Sequence, residues 1–174
     1  LLGLTYVPEQ QVGAWHQHET FNGDFESCAV VPEQDEDFLY VVVNRGINGR
    51  NVRYVERMAS RYFTDITSAY FVDCGATYEG VATKTLSGLY WLEGETVSIL
   101  GDGAVFPQQV VRGGKVTLDK ACQVIHVGLP IKATVKTLPF AQQVDNALGA
   151  GRTKNINKIW LRVNNSSGIK AGPS

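Results

Sequence analysis

Residues 38–44, Phe-Leu-Tyr-Val-Val-Val-Asn, restrict the fold more than any other stretch. Three consecutive valines behind two aromatics and a leucine lose side-chain freedom in a helix and pack well on a pleated surface, so the run predicts a buried strand. Asn48-Gly49 follows, a dipeptide that accepts positive φ at both central positions of a tight turn. The segment Ile47–Met58 therefore returns the chain as a hairpin. Upstream, residues 25–32 alternate and then become continuously apolar, which predicts another strand, with Gln34-Asp35-Glu36-Asp37 as the turn between. Together with residues 11–18 this makes about four antiparallel strands in the first 60 residues, the pattern of a propeller blade or of one sheet of a sandwich.

Residues 61–140 change texture. Short apolar runs at 68–74, 96–103, 104–111, 115–120, 124–130 and 131–139 predict strands, punctuated by Gly101-Asp102-Gly103 and Gly113-Gly114. Pro130 and Pro139 mark strand limits, because proline cannot donate to a ladder. Helix is expected for at most one or two turns, near 86–92, where Tyr90-Trp91-Leu92 sits, or near 141–149. Residues 157–165 read as a strand with no partner left in the chain, hence an exposed edge. The expected architecture is all-β: an antiparallel blade-like sheet over 1–60, a small β-barrel or sandwich over 61–140, and the start of a further β module over 141–174. The chain begins Leu-Leu-Gly and holds only Met58, so a piece of a larger protein is expected.

The 174 residues, 44% hydrophobic and 19% charged, suit one sizeable globular domain or two small ones. No apolar run approaches the ~20 residues that span a bilayer, so no membrane span is expected. The net charge of -1 hides a polarity. Residues 1–44 hold eight acids and no Lys or Arg, whereas residues 120–174 hold eight bases against the single acid Asp145. Such ends complement each other between copies and would favour one docking orientation. Reversing the charges of Lys154, Lys158 and Arg162 is expected to impair assembly. The basic end has only Phe140 and Trp160 to stack on bases, without dense aromatic interleaving, and nucleic-acid contact stays open. Cys28, Cys74 and Cys122 form no CxxC pair and read as buried, reduced thiols.

Candidate chemistry is sparse. His16 and His18 stand two apart, hence on one face of a strand, as two legs of a zinc site would. A third ligand must then come from His126 or from Glu19, Asp24, Glu26 or the group Glu33, Asp35, Glu36 and Asp37. No spacing fixes those residues, so the histidines are expected to line the wet side of the strand while Trp15 packs on the other. The acidic group lacks the order of a calcium loop. Gly101-Asp102-Gly103 opens no helix to hold phosphate, and no nucleophile elbow occurs. Arg45, Arg50, Arg53, Arg57 and Arg61 crowd one hairpin, with Arg53, Val55 and Arg57 on a shared face. No catalytic residue, metal ligand or cofactor is expected.

The segments GLTYVPEQQVGAWHQH, FESCAVVPEQDEDFLYVVVNRGINGRNVRYVERM, FVDCGATYEG, LSGLYWLEGETVSILGDGAVFPQQVV and VTLDKACQVIHVGLPIKATVKTLP, in this order, resemble a segment of large bacteriophage tail proteins of the tail nozzle, or tail tubular B, type. The middle block is also similar to the small barrel known as the first catalytic cysteine half-domain of ubiquitin-activating enzymes. The resemblance implies a propeller-like region ending near residue 60, then the barrel. It implies no active-site residue, and no nucleophile role for Cys28, Cys74 or Cys122. The expectation is a non-enzymatic structural component of a phage or prophage tail, in the virion tail and in the host cytoplasm during assembly. Its partners would be other copies of itself and other tail proteins. Two alternatives differ in class: a surface module binding carbohydrate or protein through Tyr78, Tyr90 and Trp91, and a zinc hydrolase using His16 and His18.

Overall fold

The computed structural model describes residues 1–60, 62–135, 143–144, 147–148, 156–163, 169 and 171–172. The fold is all-β and antiparallel, as expected, and its described helical pieces are single 3-10 turns. No described helix is long and apolar enough to cross a membrane. The chain divides into two compact units, 1–132 and 133–174.

In the first unit, β1 (Leu2–Val7) pairs with β2 (Val12–Gln17) as a two-stranded hairpin. A three-stranded sheet follows, β3 (Gly23–Glu33), β4 (Glu36–Ile47) and β5 (Arg50–Arg57), in the order β3-β4-β5. The expected single four-stranded sheet over 1–60 is thus two sheets. The 11–18 segment is engaged by β1, a strand that its short, Gly-interrupted sequence does not advertise. Asn48 and Gly49 hold φ of 48° and 72°, the turn that matches strand twist in a hairpin.

The valine run behaves as its composition demands. Along β4, Val41, Val43, Arg45 and Ile47 are buried while the residues between them are half-buried. Period-two alternation puts all four on one face. Ile47 joins the main core, and Val52 and Tyr54 of β5 pack against it.

That core belongs to the second large sheet, which runs β6 (Val72–Ser87), β7 (Thr96–Gly101), β8 (Ala104–Val110) and β9 (Lys115–Pro130) in the order β6-β9-β7-β8. Leu92, Val97, Val111, Ile125 and Val127 are fully buried in it. Each such side chain contributes roughly 1.5–3 kcal/mol relative to exposure. The two sheets share this core in a sandwich-like arrangement. Residues 115–120 and 124–130, expected as separate strands, form the one strand β9, because Ala121-Cys122-Gln123 holds no breaker. Its first half alternates between wet and buried, and Ile125–Leu129 are buried on both faces where β6 and β7 flank them.

Turn chemistry sits where the sequence put it. Asp102 and Gly103 take φ of 47° and 77° between β7 and β8, and Gly113 and Gly114 take 60° and 65° before β9. The expected helical turn appears as the 3-10 piece Tyr90–Leu92. Proline in a strand is confined to edges: Pro32 in β3 and Pro107 in β8, with Pro130 ending β9. The expected strand over 68–74 begins only at Val72, after a 3-10 turn at Ile66–Ser68 whose Thr67 N–H is capped by the Asp65 carboxylate at 2.7 Å.

In the second unit, β10 (Gln143–Val144) pairs with β11 (Ala147–Leu148), where a helical turn was the alternative expectation. Residues 131–135 and 156–163 lie outside any strand, against expectation for both segments. Both are exposed throughout, so nothing buries one face and selects an extended pairing. Arg61, Lys136, Pro139, Asp145, Arg152, Lys154 and Lys170 lie outside the described residues.

Candidate functional site

The densest polar arrangement is built around Arg45. Its position on the inward face of β4, in step with Val41, Val43 and Ile47, carries the guanidinium into the interior, where its side chain has no exposure. The Nε and Nη2 groups form a fork onto the Glu56 carboxylate of β5, with Nη2 at 2.7 Å. Nη2 also donates to Asp73 Oδ1 at 2.9 Å, and Nη1 donates to the Phe21 carbonyl at 2.6 Å and to Asp73 Oδ2 at 3.4 Å. All five N–H groups of the guanidinium are thereby used. Burial works against its charge, but the hydrogen bonds it donates to Glu56 and the charge of Asp73 outweigh burial, and its pKa is raised.

Asp73, at the start of β6, is equally saturated. Thr20 Oγ and the Phe21 N–H donate to it at 2.7 Å, and the Cys74 N–H donates at 3.0 Å. The backbone here is special. Cys74 takes φ of 46°, and the β6–β9 register shifts between Asp73 and Ala76. Gly75 and Gly128 make the shift possible. A Cβ on Gly75 would meet the Val127 carbonyl at 2.5 Å, and one on Gly128 would meet the Asp73 carbonyl at 2.7 Å. The bulge frees the Cys74 carbonyl to accept from Trp91 Nε1 at 3.2 Å, and the Trp91 carbonyl accepts from the Tyr54 hydroxyl at 3.0 Å. Burial first, then the nearby Glu56 charge, pushes the Cys74 thiol up to about 12. It is a closed, protonated group and a poor nucleophile.

His126 is the second buried polar residue. Its Nε2 faces the Thr67 carbonyl at 2.7 Å and its Nδ1 faces the Thr77 hydroxyl at 2.8 Å. A carbonyl only accepts, so Nε2 carries the proton. Both nitrogens are occupied, and Tyr70 stacks edge-on at 5.5 Å. This histidine lies apart from the other two.

His16 and His18 do meet, with ring centroids 4.9 Å apart and edge to face. Desolvation, then the charges of His16 and the N-terminus, lower the His18 pKa. Among the described residues no group of three or more His, Cys, Asp or Glu side chains is arranged to hold a metal. Trp15 does not pack: it is 73% exposed, on a strand whose residues are all exposed.

The acidic group is divided by its turn. Glu33 accepts from the Tyr40 hydroxyl and from Arg57 at 3.0 Å, and Glu36 accepts from Ser60 Oγ. Arg57 lies 3.4 Å over the Phe38 ring beside a cavity of about 220 Å³. Arg53 forks onto Glu26 at 2.7 and 3.0 Å in the open. Arg53, Val55 and Arg57 share the wet face, as expected, while Arg45 stands on the other, which the crowding of arginines in the sequence conceals. Nor do the aromatic candidates form one platform. Tyr90 is exposed, but Tyr78 and Trp91 are half-buried against the core. Of the thiols only Cys122 is buried; Cys74 is half-buried and Cys28, expected inside, is exposed.

Sequence reasoning missed the Arg45–Asp73 joint. The parity of Arg45 with the buried valines was the available signal; Asp73 carries none, since 28 residues separate the two. No protein-family model matches the chain, and no curated protein sequence does.

Proposed function

We propose that the chain is a non-catalytic structural component of a bacteriophage or prophage tail, of the nozzle or hub kind, acting in the virion tail with other copies of itself and other tail proteins. The observation that carries this reading is the saturation of Arg45. The most buried ionised group of the described residues uses every donor to tie the 20–22 loop, β5 and β6 together. A guanidinium with no free N–H is a fastener rather than a substrate clamp. The all-β organisation and the ordered resemblance to tail nozzle segments agree with it. Immunogold labelling of purified particles with antibodies against this chain tests the reading. Gold on the tail supports it; protein found only in the particle-free fraction overturns it.

A second reading, a protein-binding module, is favoured by one face of the β1–β2 hairpin. Leu2, Leu4, Tyr6 and Trp15 lie together on it, 47–73% exposed. Among the described residues Tyr78 and Trp91 are engaged internally, so the three aromatic candidates form no comparable cluster for glycan binding.

A further inference from the structure

We propose that residues 156–163 of one copy of this chain add as a strand to the free edge of β3 in a second copy. β3 is the outer strand of its sheet. Its register begins at Glu33↔Glu36 around the two-residue turn Gln34-Asp35. In an antiparallel ladder the residues flanking such a turn exchange hydrogen bonds and every second residue repeats this, so Cys28, Val30 and Pro32 direct their backbone groups outward. Pro32, which has no N–H, occupies the side where none is required by β4. Residues 26–32 are exposed, with Val30 at 63% and Val31 at 40%. An apolar edge open to water is a template for another strand.

The charge of the edge selects its occupant. β3, its turn and the first two residues of β4 carry six acids, Asp24, Glu26, Glu33, Asp35, Glu36 and Asp37, and no cation. Arg53 and Arg57 pair with only two of these. Residues 156–163 are the complement. They carry Lys158 and Arg162 and no acid, and Ile159, Leu161 and Val163 alternate with Lys158, Trp160 and Arg162. They are exposed and outside any strand. Added to β3, their main chain supplies the missing ladder and alternation sends one face to Val30 and the cations to the acidic side. Each copy offers one such segment and one such edge, so the contact is heterologous and can continue from copy to copy. The inference deepens the assembly reading above, yet it is measured on purified protein and so stands or falls without any virion.

Cys28 lies on this edge and serves as the probe. Trp160→Cys and Leu161→Cys are made separately in the full chain; a one-residue slip exchanges faces, so one of the two puts its thiol on the face of Cys28 in either register. An equal mixture of isotopically labelled and unlabelled protein is oxidised mildly at low salt, and the disulfides are mapped by mass spectrometry. The expected result is a disulfide from Cys28 to the introduced cysteine that joins a labelled to an unlabelled chain in one variant. Its yield should fall several-fold in ~0.1 M salt, where the Debye length is ~10 Å. It should fall likewise with Lys158→Glu and Arg162→Glu, and recover when Asp35→Lys and Asp37→Lys are added. Disulfides joining only chains of the same label, only Cys28 to Cys28, or in neither variant would each overturn the proposal.

Discussion

At the scale of single residues, the chain separates charges that matter from charges that do not. Arg45, Arg53 and Arg57 lie within one hairpin, yet only Arg45 is buried, against the half-buried carboxylates of Glu56 and Asp73. Breaking a fully buried ion pair costs about 3–5 kcal/mol, and the partial exposure of Glu56 and Asp73 puts the loss of Arg45 toward the lower end of that range. Exposed pairs contribute ~0.2–1 kcal/mol. Urea unfolding should therefore show a large loss for Arg45→Ala and little change for Arg53→Ala; equal small effects would mean that the joint is not a fastener. Thiol chemistry gives a second residue-scale expectation. Cys28 is exposed, whereas the Cys74 thiol, pushed up to about 12 by burial and Glu56, stays protonated at neutral pH and Cys122 is buried. Native protein treated with iodoacetamide should take one label rapidly, at Cys28, and the other two only on unfolding. Rapid native labelling of Cys74 would show that its pocket opens readily.

At the scale of elements, β1–β2 stands apart from the two larger sheets. A two-stranded hairpin without a covering layer is marginal in water, and all residues of this one but Gly3 and Val7 are exposed. His18 follows directly on β2, its backbone bonded to Leu1, and its pKa is lowered by desolvation and by the His16 and N-terminal charges. The folded hairpin then binds that proton less readily than the unfolded chain. Its contribution to stability is whole above the ordinary histidine value of 6.5 and declines as pH falls below it. Amide exchange, corrected for intrinsic pH dependence, should show the amides of β1 and β2 losing protection below that pH while those of β9 keep theirs. His16→Gln should weaken the effect, and a hairpin whose protection ignores pH would refute the linkage. Elements were legible in the sequence where the cause is local. Asn48-Gly49, Asp102-Gly103 and Gly113-Gly114 name their turns because positive φ is a property of the residues themselves. The valine run named β4 by its steric preference. β1 was not legible, because its short sequence is interrupted by Gly3 and carries no β-branched run like that of β4. Neither was the Arg45–Asp73 joint, whose second half depends on a bulge made by Gly75 and Gly128 across two strands.

At the scale of the whole molecule, the question is whether the β3–β5 and β6–β9 sheets behave as one body. Their connections include apolar contact of Ile47, Val52 and Tyr54 with the core of the second sheet, the polar chain from Arg45 through Asp73 and Cys74 to Trp91 and back to Tyr54, and the Asn48 N–H donated to Glu95 Oε1 at 2.8 Å. Each of these crosses between the sheets, so neither sheet can lose its packing without leaving buried groups of the other unpaired. Cooperative, two-state unfolding of the two larger sheets, residues 23–130, is the consequence. Trp91 is a natural reporter of the second sheet, since Trp15 and Trp160 are 73% and 82% exposed and can be replaced by Phe. Exchange of the β4 amides reports the first. Trp91 fluorescence and β4 protection should lose half their signal at the same urea concentration. In Arg45→Ala the two midpoints should both fall, and fall together if the apolar contact suffices to hold the sheets as one. Midpoints that already differ in the unaltered protein would show two independent modules joined by a chain rather than by a core, and the buried charges would then serve only the sheet that carries them.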